Sequence, residues 1–271
     1  MSKGYSIDQV LEVYENLEEK KGLEKMIELL IKNVFGGENI EKNQIFKKAV
    51  RDISTAYPMM KEKFEEVLRT DGERYFEHLR AVANIILENI SNPSIDKVLI
   101  ALLHDAIEDT KIDFHTLYII FGPKIAIAVQ ALSKKPWEDY RINTEVTRKA
   151  CKIKSNEEYF GHLKSYESMR EHVLSIAEEN TITLNSLEID EITMNIFDVK
   201  FADRIHNLST QWDPNNIEKV KRKIEETQFY FLDIAKELNI DVYNQLKSLI
   251  LQLEIKIAKV SNDVTTIINE E

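Results

Sequence analysis

Between residues 101 and 110 the chain reads Ala-Leu-Leu-His-Asp-Ala-Ile-Glu-Asp-Thr. Four ionisable groups, His104, Asp105, Glu108 and Asp109, follow an apolar run and fall within six positions. On a continuous helix His104 and Glu108 are i,i+4 neighbours, and so are Asp105 and Asp109. His104 and Asp105 point about 100° apart, close enough for both to reach one ion. Buried without partners, such groups cost several kcal/mol. A bound cation makes the arrangement favourable, and imidazole with carboxylate suits first-row divalent metals. Read alone, the stretch fits equally a helix end with solvated acids and a satisfied core histidine.

Two other stretches bear on that choice. In Arg69-Thr-Asp-Gly-Glu-Arg-Tyr-Phe-Glu-His78, a His opens an apolar helix nine residues after an Arg in a turn. In Val199-Lys-Phe-Ala-Asp-Arg-Ile-His-Asn-Leu208, Asp203 and Asn207 share one helix face at i,i+4. Singly, His78 reads as structural and Asp203 as solvated. A separate His, then His-Asp, then a distant Asp, each on a helix, is a far more specific combination.

The elements that must hold these residues are helices. Only 7 Gly and 5 Pro occur in 271 residues, against roughly 12% of the two together in an average soluble protein. Few tight turns follow, which argues against a sandwich, a barrel or a Gly-looped nucleotide fold. Helical periodicity runs over 6–35 (Val10, Val13, Leu17, Leu23, Met26, Leu29, Leu30) and stops at Gly36-Gly37. It continues over 42–69, where Pro58 is expected to break or kink the helix. Thr70-Asp71-Gly72 is a turn signal, and a 3.6-period stripe runs from Tyr75 to Ile90. Ser94 is a candidate N-cap for a helix expected to run to about Glu108; Asp113 caps a short one before Gly122, and Pro123 suits the first turn of the next. The polar stretch 134–192 predicts helices joined by long loops. Periodicity returns at 192–208, 217–238 and 242–260.

Composition bounds the rest. A hydrophobic share of 43% supports a sizeable core. No apolar run approaches the roughly 18–20 residues of a membrane helix, and the N-terminus lacks a signal-like stretch. One cysteine excludes an internal disulfide and a Cys-rich zinc site, so a cytoplasmic setting is expected. With 36 Lys+Arg against 47 Asp+Glu the net charge is −11, which disfavours nucleic acid and anionic membranes as partners.

The segments Arg69…Gly72-Glu73…Tyr75…His78…Val82-Ala83, Leu102-Leu-His-Asp…Glu108-Asp-Thr110, Phe121-Gly122 with Leu132-Ser-Lys134, and Val199-Lys…Ala-Asp-Arg…His-Asn-Leu208 resemble the HD phosphohydrolase superfamily. The Glu-Asp-Thr run, the Ala-Asp-Arg-x-His-Asn motif and the Arg before the first His are similar to the RelA/SpoT-type (p)ppGpp hydrolases and small alarmone hydrolases. The resemblance covers about 64–210. It implies an all-α HD-domain bundle over 41–240, with an N-terminal helical extension over 1–40 and a C-terminal helix and tail over 241–271. It implies one manganese(II) ion held by His78, His104, Asp105 and Asp203. Glu108 and Asp109 would act on the attacking water, Glu108 being the first choice. Arg69 and Asn207, with Lys134 and Thr210, would hold the nucleotide and its phosphates. The implied reaction removes the 3′-diphosphate of ppGpp or pppGpp. Alternatives are another nucleotide (an adenosine alarmone, NADPH or a nucleoside phosphate) or a catalytically weak nucleotide-binding module. The chemistry agrees, since a divalent ion lowers the pKa of bound water and polarises phosphorus.

The pattern departs from the family at Leu79 (usually Pro), Thr70 (usually basic), Arg74 (usually Pro) and Ser209 (usually Arg). None is an implied metal ligand; all bear on phosphate contacts. Tyr159 and Phe160 are core aromatics or purine-stacking residues, and Lys200 and Arg204 serve the site or pair with surface acids. The stretch from 211 to 271 is expected to be helical and not to form a second nucleotide-binding domain. The stripe Val242, Leu246, Leu249, Leu253, Ile257 is expected to pack on the core, in a monomer or homodimer.

Overall fold

The computed structural model describes residues 17–36, 44–69, 72–142, 146–210 and 212–269. Val10, Val13, Gly37 and the Thr70-Asp71 turn residues lie outside that set. Among the described residues the structure is all-α, and the β pairing is one isolated bridge, Leu68 to Arg74.

Helices α1 (Leu17–Val34) and α2 (Gln44–Lys63) precede the site. Leu23, Met26 and Leu30 are buried, as the periodicity requires. Pro58 does not break α2. It sits in the last two turns, where its missing N–H removes one hydrogen bond, and Ala56, Tyr57 and Met60 around it are fully buried. Packing outweighs the lost bond. After α2 the backbone folds back, with Arg69 N–H donating to Glu73 O (2.8 Å) and Tyr75 N–H to Val67 O (2.8 Å). Arg69 is thereby fixed beside the first turn of α3 (Tyr75–Asn89).

Ser94 caps α4 (Ile95–Leu103) by accepting from Lys97 N–H at 3.2 Å. The helix does not continue to Glu108. It turns at His104-Asp105, where Asp105 adopts φ −101°, ψ 6°, and restarts as the short α5 (Ala106–Asp109). The turn brings the two side chains, about 100° apart on a straight helix, into contact at 3.1 Å. Asp113 caps α6 (Phe114–Phe121), accepting from Thr116 N–H at 2.8 Å. Gly122 closes it at φ 89°, a backbone conformation that disfavours a side chain, and Pro123 opens α7 (Pro123–Leu132).

Residues 134–192 contain fewer long loops than expected. A 3-10 turn (Trp137–Tyr140) leads to α8 (Arg148–Leu163), α9 (Tyr166–Glu179) and α10 (Ser186–Thr210). Lys164 and Ser165 alone separate α8 from α9, because the Ser165 hydroxyl restarts the helix by accepting from Ser168 N–H at 3.1 Å. Helices α11 (Ile217–Tyr230), α12 (Leu232–Leu238) and α13 (Ile240–Asn269) complete the fold. Of the C-terminal stripe, Val242, Leu246 and Leu253 are buried, while Leu249 and Ile257 are partly buried against the core.

Helix α10 is the axis of the fold. It packs against α3, α4, α7, α9 and α13 and is buried almost all round, as a central helix must be. Phe197 and Phe201 are fully covered, each worth about 1.5–3 kcal/mol of burial. A buried ion pair, Lys97 Nζ to Asp198 Oδ2 at 2.7 Å, ties α4 to α10. That tie fixes the helix carrying His104 against the helix carrying Asp203.

Candidate active site

His78 comes from the first turn of α3, His104 and Asp105 from the α4–α5 turn, and Asp203 from the C-terminal half of α10. His78, His104 and Asp105 each offer a ligand atom, all within 4.8 Å of one another. His78 Nε2 lies 3.2 Å from Asp203 Oδ1, and His104 Nε2 lies 3.1 Å from Asp105 Oδ2. His78, His104 and Asp203 are buried.

The hydrogen-bond network fixes which nitrogens carry protons. His104 Nδ1 faces the Ala101 carbonyl at 2.8 Å. A carbonyl only accepts, so the ring hydrogen is on Nδ1. Arg69 Nη1 meets His206 Nδ1 at 3.2 Å, and an Arg only donates, so His206 Nδ1 accepts. The same atom lies 2.8 Å from His78 Nδ1, which places the hydrogen of that contact on His78. In their neutral forms, His78 and His104 therefore both turn a bare Nε2 lone pair toward a carboxylate oxygen. Two acceptors at about 3.2 Å repel unless a proton or a cation lies between or beside them.

The electrostatics follow from this. Burial pushes the His78 imidazole down, against a smaller pull from Asp203. Burial opposes charge on His104 as well, but the Asp105 carboxylate outweighs it and raises its affinity for a proton. Burial opposes charge on Asp203, yet Lys200, His78 and His104 hold it well below the usual carboxylate range. An N,N,O donor set with this demand for positive charge fits a first-row divalent ion.

Around the cluster opens a cavity of about 1240 Å³. Eight Lys and Arg line it against six Asp and Glu, a local positive excess in a chain of net charge −11. Glu108 and Asp109 reach it from α5. Glu108 Oε2 accepts from Lys134 N–H at 3.1 Å, with Lys134 Nζ 3.9 Å from its other oxygen. The Tyr75 hydroxyl lies 2.8 Å from Asp105 Oδ2 and 3.0 Å from Asp109 Oδ2, so its one hydrogen is shared between the two carboxylates. Arg69 Nη2 donates to Asn207 Oδ1 at 2.7 Å, and Asn207 Nδ2 to Asp203 Oδ1 at 2.6 Å. Thr210 stands apart: its hydroxyl donates to the His206 carbonyl at 2.9 Å, and it does not line the cavity.

No family model matches the chain. It is 28% identical over 215 residues to a GTP pyrophosphokinase rsh of Brucella melitensis, covering 78% of this chain and 24% of the relative. It is 27% identical over 197 residues to a guanosine-3′,5′-bis(diphosphate) 3′-pyrophosphohydrolase of Aquifex aeolicus, covering 72% and 23%. It is 25% identical over 191 residues to the bifunctional (p)ppGpp synthase/hydrolase SpoT of Escherichia coli, covering 70% and 22%. The chain is a distant homologue of the RelA/SpoT-type (p)ppGpp hydrolase region. It spans about a quarter of the length of these curated relatives. A solved metazoan ortholog of SpoT, described as hydrolysing ppGpp, superposes with TM-score 0.50 at 16% identity, over 74% of this chain and 94% of that one; the all-α fold is shared.

Several residues at the site have contacts that their motifs do not specify. Tyr75 and His206 sit inside the motif segments, but spacing alone gives neither a partner. Their roles emerge from the crossing of α3 with α10. Lys200, half-buried and 3.0 Å from Asp203 Oδ2, faces the site rather than the surface. Tyr159 lines the cavity between Lys134 and Lys200, whose ammonium groups lie 5.8 and 5.4 Å from its ring centre. Phe160 also lines it and stacks on Tyr230 at 4.3 Å. Cavity residues on α11 were not expected from sequence at all: Arg222 and Lys223 sit on an ordinary charged amphipathic helix, Lys223 half-buried and Arg222 exposed at the cavity rim.

Proposed function

We propose that this protein hydrolyses the 3′-diphosphate of guanosine alarmones, converting ppGpp to GDP and pppGpp to GTP with release of pyrophosphate. The observation that carries the reading is the paired His-Nε2/carboxylate contacts of His78 with Asp203 and of His104 with Asp105, three of whose members, His78, Asp105 and Asp203, line a cation-rich cavity. The homology to (p)ppGpp hydrolases supports the choice of substrate.

His78, His104, Asp105 and Asp203 would hold one manganese ion. Such an ion neutralises phosphoryl charge and makes water acidic. The chain's own residues do the rest. Arg69 and Asn207, locked to each other, face the nucleotide, and Lys134 holds a phosphate oxygen. Water attacks the phosphorus bonded to the ribose 3′ oxygen; the P–O3′ bond breaks, the 3′ oxygen leaves with a proton, and pyrophosphate departs. Burial and the neighbouring Asp105 push the Asp109 carboxyl up, which makes it a stronger base toward the water's proton than an ordinary carboxylate. Glu108, engaged with Lys134, orients the phosphate-binding loop and the same water. The acid roles thus divide, with Asp109 as base.

The test incubates the protein with manganese and a panel of nucleotides: ppGpp, pppGpp, an adenosine alarmone, NADPH and nucleoside triphosphates. Pyrophosphate release from ppGpp and pppGpp is expected. Turnover of another nucleotide with both of these untouched overturns the substrate assignment.

A further inference from the structure

One side of the cavity is built by residues that the proposed chemistry does not use. Arg204, one position past Asp203, is 3% exposed and lines the cavity. Its guanidinium lies over the Phe231 ring at 4.4 Å, and its Nε is buried without a hydrogen-bond partner. Its Nη1 reaches Glu226 Oε2 at 3.4 Å. Two more cations from α11 share that carboxylate: the half-buried Lys223 Nζ at 3.6 Å and, from the solvent-exposed rim, Arg222 Nε at 3.9 Å. Glu226, Arg222 and Lys223 all line the cavity. Three cations around one carboxylate leave an uncompensated positive charge, and every contact is longer than a good charge-assisted bond of roughly 2.7–2.9 Å. Burial pushes the Lys223 ammonium below its ordinary range, with Arg204 and Lys200 adding to the repulsion and Glu226 opposing it. Concentrated cations with one loosely held acid are disfavoured in isolation and favoured once an anion binds.

We propose that Arg204, Arg222 and Lys223 form a second phosphate subsite, which binds the non-scissile phosphate arm of the substrate while the His/Asp cluster works on the other. Glu226 occupies the cations until that arm arrives. The subsite favours nucleotides phosphorylated on both arms over those carrying only the scissile one. This selection of substrate rests on the hydrolase reading above; the anion site itself does not.

Two measurements separate the two claims. The first is calorimetric binding of inorganic pyrophosphate to the full chain after treatment with a chelator, so that turnover plays no part. Arg222→Ala/Lys223→Ala should weaken binding about tenfold or more. Glu226→Gln should tighten it several-fold. Glu218→Gln, the same charge change on the same helix at a position 83% exposed, should leave it unchanged. An unaltered Kd in the double variant, or equal effects of Glu226→Gln and Glu218→Gln, overturns the subsite. The second compares KM for ppGpp and for guanosine 3′-diphosphate with a free 5′-hydroxyl. Arg222→Ala/Lys223→Ala should raise KM only for ppGpp; an equal rise for both overturns the assignment to the second arm. Wild-type protein that binds pyrophosphate at this subsite but hydrolyses neither nucleotide refutes the hydrolase reading and leaves the anion site standing.

Discussion

His206 Nδ1 lies 2.8 Å from His78 Nδ1 and 3.2 Å from Arg69 Nη1, so one acceptor atom joins a histidine of the His/Asp cluster to an arginine that lines the same cavity. This contact keeps the His78 hydrogen on Nδ1 and leaves Nε2 open toward Asp203. It is the kind of outer support that orients a metal-binding imidazole. His206→Ala should lower manganese affinity about 10–100-fold, read by calorimetry, and should raise KM because Arg69 loses a tether. His206→Gln, whose side-chain carbonyl also accepts, should recover part of both. Unchanged affinity in the Ala variant would show that His78 holds its own orientation.

The two acids on α5 should separate in kinetics. Asp109→Asn should bind manganese as wild type does and lose about 10²–10⁴-fold in kcat, the usual worth of a positioned base. Glu108→Gln should lose less in kcat and more in KM, because its oxygens hold the Lys134 backbone and face its ammonium. A Glu108→Gln variant crippled in kcat alone, beside an active Asp109→Asn, would reverse the assignment.

The Lys97–Asp198 pair stabilises the scaffold rather than the chemistry. Both side chains are largely buried at 2.7 Å. Lys97→Met leaves Asp198 without its cation and should cost about 3–5 kcal/mol, measured by urea unfolding. Lys97→Met with Asp198→Leu should recover most of that loss, since an apolar pair of similar volume needs no desolvation of charge. A double variant no better than the single one would mean that the pair supplies specific geometry between α4 and α10.

A second cavity of about 400 Å³ between α8 and α9 holds His162 and His172, stacked at 3.9 Å. Burial, with His162 and Lys135 nearby, pushes His172 down to about 4. Its ordinary value is 6.5, so between pH 6.5 and 4 the unfolded chain takes up a proton that the folded one refuses. The stability this neutral ring contributes is complete above pH 6.5 and declines as pH falls toward 4. Thermal melts should fall in Tm from pH 7 to pH 5, by about 1–2 kcal/mol of stability attributable to this ring. His172→Phe, which keeps a ring on His162, should flatten that slope; an identical slope would assign it elsewhere.

The helical class was legible from scarce Gly and Pro, and several element ends from single residues: Ser94, Asp113 and Pro123 act as their types dictate. Three boundaries were not. Pro58 stays in α2 because buried neighbours outweigh one lost bond. The turn at His104-Asp105 is invisible to periodicity because apolar residues continue on both sides. The α8–α9 junction is short because one serine hydroxyl restarts the helix, where polar composition suggested a loop. For the site, His78, His104, Asp105 and Asp203 were readable as a pattern; the structure clusters ligand atoms of the first three within 4.8 Å and sets Asp203 against His78. Tyr75, His206 and the α11 cations depend on helix crossings between residues far apart in sequence, which no local spacing encodes.

The most direct test of the central claim measures pyrophosphate release from ppGpp as manganese is titrated into chelator-treated protein, with wild type beside His104→Ala and Asp203→Ala. We predict turnover that saturates at one manganese per chain in the wild type and is absent in both variants although they remain folded. Turnover that survives chelation, or that persists in either variant, would contradict a reaction centred on the His78, His104, Asp105 and Asp203 cluster.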